Sequence, residues 1–456
     1  MTSQETGPLS YTAIPASATE AAHAAFAADA TARLAEHAVS ASPIRKVARV
    51  PKALAVDAST FDVQLSQGDI CDQKRSGRCW MFASLNTMRF RIMKKLNLKT
   101  FELSQAYPLF WDKYERANWF FQNIIATAHE PLTSRNVSFL LLDPLCDGGQ
   151  WDMLKSIVKK YGVVPKDAMP ETQCSSNTTD MNALLTRFLR ASAKELREMA
   201  AAGATHGELA AKQESLLSQF YRMLAICLGE PPRTFEARIR DKDDKLVVSG
   251  TFTPTQFFDE YVGMNLDDYI SVINAPTADK PYGRAYSVKF LGNVAEDGGV
   301  RYVNLPVESL KRAAIAQLKD GLPVWFGCDV DQNYLQDDAM MGMGTLDMDG
   351  LLGVPVMASL DKAARLDYGE SLMTHAMVFQ GVNFDAAGAP TLWRVENSWG
   401  KKHGHDGYDL MTDDWFSEYV YQVVVDKKYL TDEERAAYES EPIELAPWDP
   451  MGALAD

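Results

Sequence analysis

Phe82, Leu85, Met88, Ile92 and Leu96 recur at three- and four-residue spacing, the apolar stripe of a buried helix. The polar run Asp72-Gln73-Lys74-Arg75-Ser76-Gly77 precedes it, so the pattern predicts a loop that ends at Gly77 and a helix that starts near Cys79. Further helical runs are expected at Tyr107–Ile125, which is strongly aromatic, at Trp151–Val158, at Asn182–Met199 and at Glu208–Leu228. Thr205-His206-Gly207-Glu208 has the capping-box pattern, and Gly229-Glu230-Pro231-Pro232 is a stop signal. A hairpin is expected over Phe235–Ile239 and Leu246–Val248, followed by a capped helix at Thr253. Strands are expected at 269–273, 286–291, 301–305 and 324–328, with a helix over 307–319. The last third reads as strands at 374–382, 391–399, 408–411 and 421–425.

Between these runs lie weaker patterns. Residues 1–18 are polar and read as loosely attached, and the alanine-rich stretch 19–41 suits one surface helix. Residues 331–370 form a loop region rich in Met and Gly, including Met340, Met341, Met343, Met348 and Met357. Pro442, Pro447 and Pro450 make the tail 431–456 extended rather than helical. The expected organisation is an N-terminal extension over 1–44, a helical lobe over 45–160 and an inserted module over 161–330. A β-rich lobe over 331–430 and a C-terminal arm over 431–456 follow.

Composition narrows the function classes. A net charge of −15 in 456 residues disfavours binding to phosphate backbones. The six cysteines are scattered without ligand or scaffold spacing, which indicates free thiols in a reducing compartment. No signal peptide and no run long enough to span a membrane is recognisable, so a cytoplasmic location without membrane partners is expected. No cofactor-binding loop is recognisable. His403-Gly404-His405-Asp406 lacks a further ligand cluster and reads as a solvated loop, not a metal site.

Cys79 is the candidate for chemistry. At a helix start, free N–H groups and the positive dipole end favour a thiolate; the alternative is a small core hydrophobe. Gln73 can offer an amide N–H to an oxyanion beside the sulfur. His375 lies in one expected strand and Asn397 in the next, with the turn Asp385-Ala386-Ala387-Gly388 between them. Antiparallel pairing about that turn sets His375 directly opposite Asn397, on one face, with Cβ atoms ~5 Å apart. An amide oxygen there can orient an imidazole toward a thiolate, the logic of a catalytic triad.

These residues carry a resemblance. Ser76-Gly77-Arg78-Cys79-Trp80, Gln73, His375 and Asn397-Ser398-Trp399-Gly400 resemble, in order, the positions around the nucleophile, oxyanion glutamine, base and orienter of papain-like cysteine peptidases. Cys146-Asp147-Gly148-Gly149 is similar to the segment whose glycine backbone binds extended peptide there. Secreted members bridge that cysteine to a residue that here is Ser76, so the bridge is not expected. The longer motifs Asp72–Trp80, Asp147–Met153, Gly369–Met377 and Pro447–Ala455 resemble the bleomycin hydrolase and aminopeptidase C family over roughly residues 45–456. His375 follows Cys79 by ~300 residues, against ~130–150 in simple papain-like enzymes, and the excess corresponds to the inserted module.

The resemblance implies an α+β, papain-like two-lobed fold. A helical lobe would carry Cys79 and a β-barrel-like lobe His375 and Asn397, with a mixed helical and β insertion. It implies a cysteine aminopeptidase that needs no metal or cofactor, acts on peptides with a free N-terminus, and assembles as a homohexamer. Cys79, His375, Asn397 and Gln73 would be catalytic; Gly148, Gly149, Trp399, Ala455 and Asp456 would bind substrate. Asp456 departs from the familiar ending at Ala455 and moves the terminal carboxylate ~3.5 Å along the cleft. The same triad would also serve an amidase or acyl transferase, or bleomycin-type amide hydrolysis as a side activity.

Overall fold

The computed structural model describes residues 11–56, 60–66, 68–356 and 358–455. The polypeptide divides into two compact units, one made of Met1–Ala55 with Gly344–Ser359, the other of Val56–Met343 with Leu360–Asp456. Residues 1–10, Met357 and Asp456, on which sequence expectations fall, lie outside the described residues.

In the smaller unit the alanine-rich stretch is two helices, Ala16–Ala28 and Ala30–Ala41, rather than one. The break is at Asp29, whose carboxylate accepts the N–H groups of Thr31 and Ala32 at 2.9 Å each. That cap starts a new helix because the Asp29 side chain satisfies the free N–H groups of a helix start and suits a helix interior poorly. The second segment of the unit closes on the first through Val50 N–H to the Thr345 carbonyl (2.9 Å) and Asp347 N–H to the Ala48 carbonyl (2.8 Å).

The larger unit is built on a twelve-stranded sheet among the described residues. Its path runs Ile443–Leu445, Arg284–Val288, Tyr302–Asn304, Tyr269–Ile273, Val420–Asp426, Val324–Cys328, His375–Phe384, Pro390–Glu396, Tyr408–Thr412, Met340–Met341, Tyr334–Leu335. The short strand Val63–Gln64 pairs with His375–Phe384 off this path. The sheet therefore runs from the expected inserted module into the expected β-rich lobe, across residue 330.

Both faces of the central strands are buried, which is why they read as near-continuous apolar runs. Trp325, Ala376 and Val378 face the core that holds Cys79, Trp80, Leu85 and Met88. Phe326, Met377 and Phe379 face a second core with Leu310, Ala314 and Leu318 of the helix Val307–Lys319. Alternation with period two thus divides each strand between the two cores. Phe326 and Phe379 stack across it, ring centroids 3.8 Å apart.

The helix Cys79–Leu96 crosses the first of these cores with most of its side chains buried. It ends in a left-handed Asn97 (φ 55°). The aromatic run forms the helix Ala106–Ala126, and Thr179–Ala201 and His206–Leu228 pack with it. The capping box at Thr205 is present, as is that at Thr253.

Further features differ from the sequence reading. The loop region expected over 331–370 carries the short strands Tyr334–Leu335 and Met340–Met341 and the helices Met348–Leu352 and Lys362–Asp367. A helix at Arg135–Leu142, capped by Ser134, was unmarked because its apolar face is short. The strand expected at 286–291 occupies Arg284–Val288. The tail contains a helix, Asp432–Glu439, because Thr431 and Glu434 form a capping box ahead of the first proline.

Candidate active site

Cys79 is the first residue of its helix and has no solvent exposure. Its sulfur accepts the backbone N–H of Ala376 at 3.4 Å, which places it beside the residue that follows His375. An N–H aimed at sulfur from one side, and the helix start on the other, stabilise negative charge there. The preceding loop is held at several points. Arg78, fully buried, makes a two-pronged pair with Glu171 (3.1 and 2.9 Å), and its Nε donates to Ser76 Oγ at 2.8 Å. Burial would raise the Glu171 carboxyl, but the Arg78 charge and hydrogen bonds outweigh it and hold the group below its ordinary value. Arg75 N–H donates to the Ser176 carbonyl at 3.0 Å.

His375 opens its strand, and its Nε2 lies 3.0 Å from Asn397 Oδ1. The pairing register differs from the expected one. Val378 is opposite Glu396 and Phe379 opposite Val395, which displaces the expected register by two residues, so that Asn397 sits diagonally from His375. The physical reason is the centre of the turn: Asp385 N–H bonds the Ala389 carbonyl (2.9 Å) and Phe384 pairs with Pro390, so the turn is centred on Ala387 rather than Ala386. An even displacement preserves the face, so the side chains still meet. Burial pushes the His375 imidazole below its ordinary value, opposed by the Asn397 hydrogen bond and the charges of Asp409 and Asp331.

The Asn397 amide is oriented from both sides. Its Nδ2 donates to Asp409 Oδ2 (2.7 Å) and its Oδ1 also accepts Ser398 N–H (2.8 Å). Oδ1 therefore faces the ring, and Nε2 must carry the proton that is donated. Trp399 lies over His375, ring centroids 5.0 Å apart.

Gln73 reaches the same place through backbone pairing. Gln73 N–H donates to the Ser398 carbonyl (2.8 Å) and Gly400 N–H to the Cys71 carbonyl (3.0 Å), so the loop before Cys79 runs along the segment after Asn397. The Gln73 side chain is buried; its Oε1 accepts from Ser398 Oγ and its Nε2 donates to the Ser76 carbonyl at 2.7 Å. Its amide is thus fixed with the N–H₂ end toward the loop that precedes Cys79.

Gly148 and Gly149 are drawn in by Trp80, the residue after Cys79. Trp80 Nε1 donates to the Asp147 carbonyl at 2.7 Å, and the Gly149 backbone lies so close to the indole that a Cβ there would overlap it. Gly149 is required for that approach. The Gly148 carbonyl accepts from Arg116 Nη2. Asp147 anchors the segment: it pairs with Lys113 (2.7 Å), accepts from Asn182 (2.7 Å) and Thr178, and takes Gly77 N–H at 3.2 Å. Burial opposes its charge, yet Lys113 and these donors hold the carboxyl well below the usual range. Neither Cys146 nor any of the other five cysteines is in a disulfide.

The C-terminal segment lies along these glycines. Gly149 N–H donates to the Ala455 carbonyl at 3.1 Å and Gln150 Nε2 to the Ala453 carbonyl at 2.7 Å. Ala455 has no solvent exposure. Farther back, Asp449 pairs with Lys280 (2.9 Å) and Arg135 stacks on Trp448 at 3.7 Å.

Sequence reading missed Asp409 and took His403 as solvated. His403 is half-buried, with Nε2 2.7 Å from Asp409 Oδ1 and 2.9 Å from Tyr334 Oη. The available signal was the spacing of Gly404 and Gly407: both have positive φ (51° and 91°) and turn the loop back on itself. Among the described residues no group of three or more His, Cys, Asp or Glu side chains is arranged to hold a metal, and no helix is long and apolar enough to cross a membrane.

The sequence profile of the Peptidase C1-like family matches residues 13–452. The chain belongs to that family. Aminopeptidase C of Streptococcus thermophilus is 48% identical to it over 437 residues, 96% of this chain and 98% of that protein. Bleomycin hydrolase of Homo sapiens is 47% identical over 393 residues, 85% of this chain and 86% of that protein. The crystal structure of PepW from Lactobacillus rhamnosis superposes with a TM-score of 0.95 at 46% identity, covering 97% of this chain and 99% of that one. The chain accordingly has the α+β papain-like fold and is a hydrolase of the cysteine aminopeptidase type.

Proposed function

We propose that the protein removes N-terminal residues from peptides by a Cys–His–Asn acyl-enzyme mechanism. Cys79 thiolate attacks the first peptide carbonyl while His375 holds the proton as imidazolium. His375 then gives that proton to the leaving amine, and the new peptide N-terminus departs. Water, deprotonated by His375, attacks the thioester and releases the amino acid. Asn397 fixes the ring, and Gln73 with the Cys79 backbone N–H stabilises the tetrahedral oxyanion. The observation that carries this reading is the convergence of the Cys79 sulfur with Ala376 and of His375 with Asn397 on one buried edge.

The arm supplies the restriction to N-termini. Ala453–Ala455 takes the hydrogen bonds of Gly149 and Gln150 that an extended substrate would otherwise use. Only the space beyond the arm's end is left for substrate, and a chain-terminal carboxylate there pairs with a free α-ammonium. Asp456 is either trimmed by the enzyme, leaving Ala455 as terminus, or retained with a shifted preference. Intact mass decides: full-length mass with ordinary aminopeptidase activity rejects trimming. A cytoplasmic homohexamer is the assembly that fits the family resemblance, and light scattering of the purified protein measures it.

The test uses an aminoacyl-arylamide. Cys79→Ala should release no arylamine while keeping the circular dichroism of the parent. With an added amine, hydrolysis gives free amino acid; a predominant aminoacyl-amine product would instead make the protein an acyl transferase.

A further inference from the structure

Behind Asn397 lies a charged cluster that the triad chemistry does not itself demand. Asp409 is fully buried on the strand Tyr408–Thr412, opposite Val395. Its Oδ2 accepts the Asn397 Nδ2–H at 2.7 Å, and its Oδ1 lies 2.7 Å from His403 Nε2 and accepts Tyr334 Oη–H at 3.2 Å. Burial and the neighbouring carboxylate push the Tyr334 phenol far up, so it stays a donor. The loop between the two residues is built for this contact. A Cβ at Gly404 would meet the Tyr408 carbonyl at 2.5 Å and Ala339 Cβ at 2.6 Å, so only glycine lets His403 fold back onto the strand. Trp399 stands between the two histidines, 5.0 Å from His375 and 4.9 Å from His403 by ring centroids.

We propose that Asp409 is a positioning residue for the reaction: its carboxylate holds the Asn397 amide with Oδ1 toward His375 and places a buried negative charge that favours the imidazolium formed when Cys79 becomes a thiolate.

Two physical effects support this. A reversed amide would set Nδ2–H against the N–H groups of His375 and Ser398 and its oxygen against a carboxylate, losing three hydrogen bonds and gaining three repulsions. An amide whose N–H donates to an ionised group is also polarised, which makes its oxygen a stronger acceptor for the ring. In a site closed to water that charge is weakly screened. The inference rests on the triad reading above. It extends that reading from a neutral orienter to one backed by an anion.

The groups around His375 must be counted for a pH argument. Cys79 faces it from the helix and Cys328 is its partner on the neighbouring strand. Asp329 contacts the adjacent Thr374, Asp331 acts through its charge, and His403 and Asp409 lie beyond Asn397 and Trp399. All but Asp409 are unchanged by the substitution that tests the idea.

In the full-length protein, Asp409→Asn removes the charge at nearly constant shape. With an aminoacyl-arylamide, kcat should fall roughly tenfold with KM within about twofold. The basic limb of the kcat/KM profile, which reports loss of the imidazolium proton, should move down by about half a pH unit or more. A kcat and a basic limb that coincide with the parent's overturn the proposal. Tyr334→Phe keeps the carboxylate and removes one of its donors, so its basic limb should move up; a downward shift there also overturns it, whatever the fate of Asp409→Asn. Cys79→Ala separates the layers: turnover by that variant refutes the triad itself, whereas an inactive Cys79→Ala beside a parent-like Asp409→Asn refutes only the role of Asp409.

Discussion

The Gly149 amide N–H donates to the Ala455 carbonyl at 3.1 Å, so Ala455 forms an isolated antiparallel bridge with the segment that follows Cys146. The same glycine rests on the indole of Trp80, one residue beyond Cys79. The helix that starts at Cys79, the glycine segment and residues 453–455 are thereby in one direct line of contact.

Gly149→Ala should disrupt that line. The added methyl overlaps the Trp80 ring, so the glycine segment must lift by a few tenths of an ångström or more. The expected outcome is a kcat/KM at least ~10-fold lower on aminoacyl-arylamides, with a modest loss of thermal stability. Unaltered kinetics would show that substrate does not depend on this segment.

Deleting residues 453–456 removes the partners of Gly149 and Gln150. The shortened protein should cleave N-acetylated peptides and internal bonds at least ~10-fold faster than the full chain does. Mass spectrometry of the products locates the cut. Continued strict removal of single N-terminal residues would assign exopeptidase character to something other than the arm.

Arg89 of the helix Cys79–Leu96 pairs with Glu396, the neighbour of Asn397, at 2.7 Å with both side chains buried. Asn86 and Gln380 complete the carboxylate's hydrogen bonds at 2.9 and 2.6 Å. Glu396→Gln leaves the guanidinium charge uncompensated and should cost about 3–5 kcal/mol in urea denaturation. Replacing both by apolar residues of similar volume should recover much of that loss, because the desolvation of both charges then disappears.

Acid sensitivity follows from Asp147. Its carboxyl is held below the ordinary value in the folded protein, despite burial, by Lys113, Thr178 and Asn182. A depressed folded value contributes stability above the unfolded value of ~4 and loses it as pH falls through the window below. Glu171, lowered by Arg78, adds in the same direction. Urea midpoints measured between neutral pH and about pH 3 should therefore fall most steeply below pH ~4. Lys113→Met should lower stability at neutral pH and flatten that fall.

Much of the site's placement was legible in the sequence. The stripe from Phe82 to Leu96 located the helix that starts at Cys79 because its apolar positions keep three- and four-residue spacing while Lys94 and Lys95 stay exposed. The turn at 385–388 gave the correct face for His375 and Asn397 but not the register, since a turn centred one residue later shifts pairing by two residues without changing parity. Asp409 was hidden for a different reason. A single acid in an alternating strand reads as a solvent-facing residue, and only the return of the 400–408 loop buries it. The break at Asp29 and the helix at Asp432–Glu439 show the same limit: local capping overrode the composition of the surrounding segment.

The central claim is a covalent intermediate on Cys79. Rapid acid quenching during turnover of an aminoacyl ester, followed by intact-mass and peptide mapping, tests it directly. The account predicts one aminoacyl group per chain, in thioester linkage on the peptide that contains Cys79, and none in Cys79→Ala. An adduct on another residue, such as Cys146, or full turnover by Cys79→Ala, would contradict it.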